Sequence, residues 1–362
     1  MALKTYKLGE FLFPYDCRNK DLSVTLFQGI TTNKVFSSPK QVAEDIGATK
    51  IVRKGQFAYN RATTRNGEKI SIAYRDEEDC AVSAAYQVFY IKENAPLLPK
   101  YLYIFFNRNE FDRYVRCNSW GSAHEFFTFN DMCNVEISLP DLLTQQKYVD
   151  IYESMVANQK SYEKGLDDLK LTCDAYIEEL RRKTKCEKIG DYITFYNEKN
   201  VDEKITLEQG VNIKKEFITP QRENSSLASR KIVRTGQIVY CTQLNNENVA
   251  VALREGPDCV VSPVYDVVEV IRPKELMVEY LLLWMQRSEF GRFVYWASKG
   301  TSYEFLSPEN LQNYKIPIPD ISVQRSIADI YKVYTERKRI NEQLKQQIKD
   351  ICPILIKGSL EE

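Results

Sequence analysis

Histidine is nearly missing: His124 is the only one in 362 residues. Metal sites built on several histidines are excluded. A Ser-His-Asp or Cys-His nucleophile would have to run through that one side chain. The nine cysteines (Cys17, Cys80, Cys117, Cys133, Cys173, Cys186, Cys241, Cys259 and Cys352) include no pair at C-x-x-C spacing, which argues against a zinc ribbon. The count is odd, and Met1–Lys7 already carries polar and basic residues. Both points predict a cytoplasmic chain with free, buried thiols and no signal peptide. Apolar runs are short: Leu281–Met285 falls far below the roughly 20 residues of a membrane crossing. An excess of one charge is missing too, since 50 Lys+Arg balance 50 Asp+Glu. No global basic field advertises nucleic acid, although local fields fit inside a neutral total. No G-x-G and no G-x-x-x-x-G-K-S/T occurs, so a phosphate-cradling motor loop is not encoded. What is present is enough apolar material, 43% of residues, to bury the cores of about two domains.

The chain is written twice. Lys50-Ile-Val-Arg-Lys-Gly-Gln56 recurs as Lys231-Ile-Val-Arg-Thr-Gly-Gln237, Gln28-Gly29 as Gln209-Gly210, and Leu8-Gly9 as Ile189-Gly190. Further on, Asp79-Cys-Ala-Val-Ser83 matches Asp258-Cys-Val-Val-Ser262, and Glu110-Phe-Asp-Arg-Tyr-Val115 matches Glu289-Phe-Gly-Arg-Phe-Val294. Leu139-Pro-Asp141 returns as Ile318-Pro-Asp320, and Asp150-Ile-Tyr152 as Asp329-Ile-Tyr331. The separation stays near ~180 residues and shortens slightly between Tyr59 and Asp79, so this is a duplicated domain rather than a solenoid.

Each copy has two parts. In the first, Ile51–Tyr59 and Cys259–Tyr265 read as strands bounded by Gly, Asp and Asn. Leu97–Val115 and Glu275–Val294 read as helices that begin just after prolines. In the second, the stretch from about Thr144 to Lys185 has no Pro and only Gly165. Its seam runs Tyr148, Tyr152, Met155, Gln159, Tyr162, Leu166, Leu169, Cys173, Tyr176 and Leu180 at alternating steps of four and three, a heptad pattern. The later copy runs Ile327, Ile330, Tyr334, Arg337, Asn341, Leu344, Ile348, Ile351 and Leu355. Pro140-Asp141 and Pro319-Asp320, with Ser322, supply helix-start signals. Each rod would be roughly 60 Å long and would need a partner, most economically the other rod. The expected fold is α+β: two pseudo-twofold-related α/β domains joined by two long antiparallel coiled-coil helices.

Globular–helix–globular–helix with direct duplication resembles the specificity subunit of type I restriction-modification systems. The residues that carry the resemblance are the Ile-Val-Arg-x-Gly-Gln stretches before strands ending in Tyr59 and Tyr240, and the small-residue loops Trp120–His124 and Lys299–Tyr303. Above all, Leu139-Pro-Asp-Leu-Leu-Thr-Gln145 and Ile318-Pro-Asp-Ile-Ser-Val-Gln324 run straight into the heptad helices. The family usually has Glu-Gln at this point; Thr144 and Val323 replace the Glu. The resemblance implies target recognition domains at 1–143 and 186–322, a central conserved helix at 144–185 and a C-terminal one at 323–362. It implies a non-catalytic subunit that reads a bipartite DNA site. Its partners would be double-stranded DNA, methyltransferase subunits (two of them) that bind S-adenosylmethionine, and restriction subunits that use ATP and Mg. The Asn-Pro-Pro-Tyr/Phe site of such methyltransferases is absent from this chain.

Reading DNA then requires local Lys, Arg, Asn and Gln side chains that reach phosphates and base edges. The first cluster is Asn60, Arg61, Arg65, Asn66 and Lys69. Its counterpart holds Gln243, Asn245 and Asn246. The copies agree before this loop, differ within it, and change length there, as two different half-site readers require. A drifting surface loop gives the same divergence. The second candidate pair is Trp120, Ser122 and His124 beside Gly121, and Lys299, Thr301, Ser302 and Tyr303 beside Gly300. Here Gly permits close approach to a phosphate, and a plain helix–strand turn is the alternative. His124 fits a DNA contact or an ordinary loop position better than catalysis. Asp141 and Asp320 could open a nuclease motif, but no Glu-x-Lys follows, so helix caps fit better. The charged helix faces Glu178, Glu179, Arg181, Arg182 and Lys183, and Glu336, Arg337, Lys338 and Arg339, suit either solvent or a docked subunit. Two other functions stay open: a regulatory or phage-defence DNA-binding protein without a methyltransferase, and a protein-only coiled-coil scaffold.

Overall fold

The computed structural model describes residues 4–39, 45–62, 69–121, 125–220, 226–243, 249–298 and 305–361. The chain divides into two compact units, Met1–Glu163 with Ile340–Glu362, and Lys164–Arg339. Among the described residues the helices are α1 (Pro99–Phe106), α2 (Asn109–Cys117), α3 (Phe129–Cys133), α4 (Leu142–Lys183), α5 (Val278–Gln286), α6 (Ser288–Ala297), α7 (Pro308–Gln312) and α8 (Ile321–Glu361). Both long helices, α4 and α8, contribute to each unit.

The first unit is built on a four-stranded antiparallel sheet in the order Leu12–Tyr15, Tyr86–Ile91, Phe57–Asn60, Ile72–Tyr74. Side chains alternate across it, as a pleated strand demands. Phe57, Tyr59 and Phe89 face α1 and α2, with the Phe57 and Phe89 rings stacked at 5.1 Å. Ala58, Ala73 and Val88 face the opposite way, onto Val52, Cys80 and Val82 of the small strand pair Lys50–Val52 and Cys80–Val82. The second unit repeats the sheet as Ile193–Tyr196, Tyr265–Val270, Ile238–Cys241, Val251–Leu253. Ile238, Tyr240 and Val268 lie on one face, and Val239 and Val267 on the other.

Two sequence expectations change. The stretch Ile51–Tyr59 is two strands, Lys50–Val52 and Phe57–Asn60, with a turn between them. Gly55 and its counterpart Gly236 sit at φ +91° and +90°, a conformation glycine adopts without penalty. Around each turn the repeated residues bond alike. Gln56 Oε1 accepts from Arg53 N (2.9 Å), and Asp79 accepts from Lys54 N (2.9 Å) and Arg53 Nη1 (3.1 Å). Gln237 and Asp258 do the same for Arg234 and Thr235. Cys259–Tyr265 likewise divides into the strands Cys259–Val261 and Tyr265–Val270, with Tyr265 N donating to Ser262 O at the turn (3.0 Å).

Each predicted 20-residue-scale helix is also two. Arg108 and Arg287 are extended, at φ −79°, ψ 146° and φ −76°, ψ 156°. Side-chain donors take the carbonyls that the next helical turn would have used. Lys34 Nζ donates to Phe106 O (2.5 Å). In the second unit Lys215 Nζ donates to Gln286 O.

Both long helices are fastened to their globular neighbours by one buried glutamine. Gln145 donates to Pro96 O (2.9 Å) and Pro140 O (2.9 Å) and accepts from Leu98 N (2.9 Å). Gln324 donates to Glu275 O (2.6 Å) and Pro319 O (2.8 Å) and accepts from Met277 N (2.9 Å). Asp141 caps α4 by accepting from Thr144 N (2.9 Å), a bond that lowers its carboxyl pKa. Asp320 caps α8 through its backbone carbonyl, which accepts from Val323 N and Gln324 N.

In the first unit α4 and α8 run antiparallel. Tyr148 packs over Gly358, whereas further along α4 Gln159 Nε2 donates to Asn341 Oδ1 (2.9 Å) and Glu163 pairs with Lys345 (2.6 Å). Asn341 is buried in the seam, as the heptad pattern expects. Arg337 and Tyr176 are not. Arg337 is exposed, and Tyr176 yields the seam to Ile177, which is 1% exposed against 38%. A straight α-helix advances 3.6 residues per turn, so a strict 3.5-residue frame drifts off the buried stripe.

Candidate nucleic-acid interface

In the first unit the structure brings the described ends of the two candidate loops, Arg61–Ala62 and Trp120, to one edge. The central strand Phe57–Asn60 leads into Arg61 and Ala62. Arg61 O accepts from Phe127 N (2.9 Å), and Ala62 bridges Phe126. Phe126 in turn bridges Trp120 on its other side: Trp120 N donates to Phe126 O (3.2 Å) and Phe126 N to Trp120 O (3.0 Å). Asn60 Oδ1 accepts from Ala62 N (3.1 Å) and so shapes the bend rather than projecting freely. Arg61 is exposed, and among the described residues its Nε makes a long contact to Ala85 O (3.4 Å). Trp120 is 70% exposed. Arg116, on the last turn of α2, pairs with Glu125 beside this edge. Lys69 is exposed, and the backbone just after it is tied down where Ile70 N donates to Asp112 Oδ1 (3.2 Å).

The second unit repeats the edge. Thr242 O accepts from Leu306 N (3.0 Å), and Gln243 bridges Phe305. Thr242 Oγ1 is turned inward to Val264 O (2.7 Å), so no cation stands where Arg61 stands in the first unit. Arg65, Asn66, Ser122, His124, Asn245, Asn246, Lys299, Thr301, Ser302 and Tyr303 lie outside the described residues.

Behind each edge stands a buried tyrosine. Burial pushes the phenols of Tyr59 and Tyr240 far up. Tyr59 Oη has no hydrogen-bond partner, and Tyr240 Oη donates to Asp266 (3.2 Å). Both are walls that hold the strand end, not proton carriers. Among the described residues no three His, Cys, Asp or Glu side chains converge as metal ligands. No helix there is long and apolar enough to cross a membrane.

Sequence reasoning missed two contributors to these edges and one exposed indole. Phe126 (43% exposed) and Phe305 (41%) close the rim by backbone pairing, a relation that sequence spacing does not carry. Trp296, 71% exposed on the last turn of α6, lies just beyond the expected helix Glu275–Val294. On the long helices most charges singled out are paired along their own helix: Arg181 with Glu178, Lys183 with Glu179, Arg339 with Glu336. Glu178 and Asp174 also hold Arg287 (3.4 and 3.2 Å), which ties α4 to the α5–α6 junction.

Comparison with known proteins bears on the duplicated fold. The family model described as "Type I restriction modification DNA specificity domain" matches residues 28–169 and again 178–350. The chain is 29% identical over 107 residues to the type I restriction enzyme HindI specificity subunit of Haemophilus influenzae, a stretch that covers 29% of this chain and 23% of that subunit. The crystal structure of the type I restriction-modification system S subunit from M. genitalium shares the fold, with a TM-score of 0.62 at 12% identity over 99% of this chain and 96% of that one. With two copies of the family domain spanning most of its length, the chain belongs to the type I restriction-modification DNA specificity family.

Proposed function

We propose that this chain is the DNA-reading, non-catalytic subunit of a cytoplasmic type I restriction-modification complex. Residues 1–143 and 186–322 act as target recognition domains, each reading one half of a bipartite site. Residues 144–185 and 323–362 are the helices that separate them and dock two methyltransferase subunits. Those subunits bind S-adenosylmethionine and methylate an adenine in each half after flipping it from the stack. Restriction subunits, with ATP and Mg, join to cut unmodified DNA.

The observation that carries this reading is where the copies agree and where they part. Residues that recur in both copies make the same internal bonds: the Arg-x-Gly-Gln turn with its Asp, and the helix-fastening glutamine. Residues that differ include those at the open edge: Asn60 against Cys241 and Arg61 against Thr242. A common scaffold with unlike rims is what two different half-site readers need. The side chains on the DNA-binding surface are Asn60, Arg61, Arg65, Asn66, Lys69, Trp120, Ser122 and His124 in the first domain. In the second they are Gln243, Asn245, Asn246, Lys299, Thr301, Ser302 and Tyr303.

Methylome sequencing of cells with and without the gene tests this. A two-part methylated motif should disappear with the gene, and exchange of residues 1–140 for another family member's should change one half only. A methylome indifferent to the gene, while a methyltransferase partner is expressed, overturns the reading and favours a regulator or scaffold. Methyl transfer by the purified chain alone contradicts the non-catalytic assignment.

A further inference from the structure

Three tryptophans occur in the chain. Trp284 is 2% exposed and belongs to the second core. The other two, Trp120 and Trp296, are the most exposed large apolar side chains in their respective stretches, at 70% and 71%. Both stand at the exit of the second helix of a helix pair: Trp120 shortly after α2, Trp296 on the last turn of α6. Neither is an isolated surface ring. Trp120 is the outer strand partner of Phe126, which pairs with Ala62 beside Arg61. Trp296 lies 6.4 Å from the Phe293 ring on the last turn of α6, and Phe305 pairs with Gln243. Helix ends fix both positions. Ser119 Oγ and Ser298 Oγ, each buried, donate back to the carbonyls of Val115 and Val294 (both 2.7 Å), and Asn310 Nδ2 donates to Ala297 O (3.0 Å). The indoles are therefore held outward on rigid supports instead of folding onto the core.

A solvated indole on a helix end held by buried hydrogen bonds suits a flat aromatic partner. We propose that Trp120 and Trp296 stack on DNA bases at their respective half-sites, as wedges at the step opened when a base leaves the helix. This rests on the DNA-reading function above and adds the mode of contact. It also adds Trp296, which the sequence did not single out. Stacking tolerates any base, because each has a π-face. The wedges thus supply affinity and position, and base choice is left to the amide and cationic side chains around them. An inserted apolar ring also unstacks the step it enters, which lowers the further cost of extruding the adjacent base.

The test uses the chain assembled with its methyltransferase subunits and a duplex carrying the motif methylated in vivo. Trp120→Ala and Trp296→Ala should each weaken specific binding by about 10-fold, and the double variant by more. Trp120→Phe and Trp296→Phe should recover most of the loss. In the unaltered assembly, DNA should shield two indoles of this chain from acrylamide. 2-Aminopurine placed beside each methylated adenine should lose fluorescence by stacking, and should regain it in the corresponding alanine variant. Alanine variants that bind within twofold of wild type, with 2-aminopurine unchanged, overturn the wedge while leaving DNA reading intact. Shielding of both indoles by the methyltransferase subunits before DNA is added also overturns it. Absence of any motif-specific binding by the unaltered assembly removes the underlying reading and the wedge together.

Discussion

The two units solve one packing problem in different ways at one buried lysine. In the first, Lys34 sits in the left-handed region (φ +62°) at a hairpin tip and reaches inward to Phe106 O and to Asp112 Oδ1 (2.8 Å), with both charged groups buried. In the second, Lys215 repeats the conformation (φ +69°) and the reach to the end of the first helix, at Gln286 O. Its counterpart to Asp112, however, is Gly291, as the match of Glu110–Val115 to Glu289–Val294 shows. The difference teaches that the lysine's shared task in the two units is to finish a helix, whereas the carboxylate is present in the first unit alone. Burial lowers both lysines' pKa. Asp112 opposes the shift in Lys34, and in Lys215 nearby Lys338 adds to it, bringing that group to about 8.

Removing the carboxylate should have the largest effect. Asp112→Ala leaves Lys34 charged, buried and unpaired, and orphans Ile70 N, which donates to the same oxygen (3.2 Å). Breaking a buried pair from one side costs about 3–5 kcal/mol. Urea unfolding should show that loss in the first unit's transition, with the second unit's transition unmoved. Equal loss in both units, or none, would mean the pair does not distinguish them.

Next in size are the fastening glutamines, where the units should behave alike. Gln145→Ala and Gln324→Ala each strip two carbonyls and one amide of their partners at a fully buried position. Each unmet buried group costs about 1–3 kcal/mol, partly relieved if water enters. Each variant should therefore lose ~2–4 kcal/mol in denaturant unfolding, by the same amount within error. A large inequality would show that one helix is held mainly by other contacts.

These cases also show what the sequence made legible. The duplication, the two long helices and their starts were readable because they rest on local chemistry: repeated turns, heptad spacing and Pro-Asp caps. Gln145 and Gln324 were visible as recurring letters, but their bonds were not, because their partners lie ~50 residues back along the chain. The broken helices were missed for a similar reason. Nothing near Arg108 or Arg287 forbids a helix, and part of the stop comes from Lys34 and Lys215, far earlier in the chain. At the edge, Trp120 and Arg61 could be named singly. Their union depends on Phe126, whose place is fixed by pairing on both sides and by no motif.

The smallest expected effect tests the comparison at its other end. Lys215→Met removes a half-buried cation that has no carboxylate partner among the described residues, so near pH 7 it should change stability by no more than about 1 kcal/mol. Lys34→Met, which strands Asp112, should cost several times more. The two also differ with pH. Because the folded pKa of Lys215 lies near 8 against an ordinary 10.5, the unfolded chain holds more protons between those values. Stability contributed at this site therefore rises with pH across that window and is flat below it. The methionine variant lacks the rise. Measured against wild type, it should stand best near pH 7 and fall behind progressively from about pH 8 to pH 10, with the unfolding midpoint as the readout. A difference independent of pH would mean that Lys215 stays protonated throughout, and would place it in the same electrostatic setting as a paired lysine.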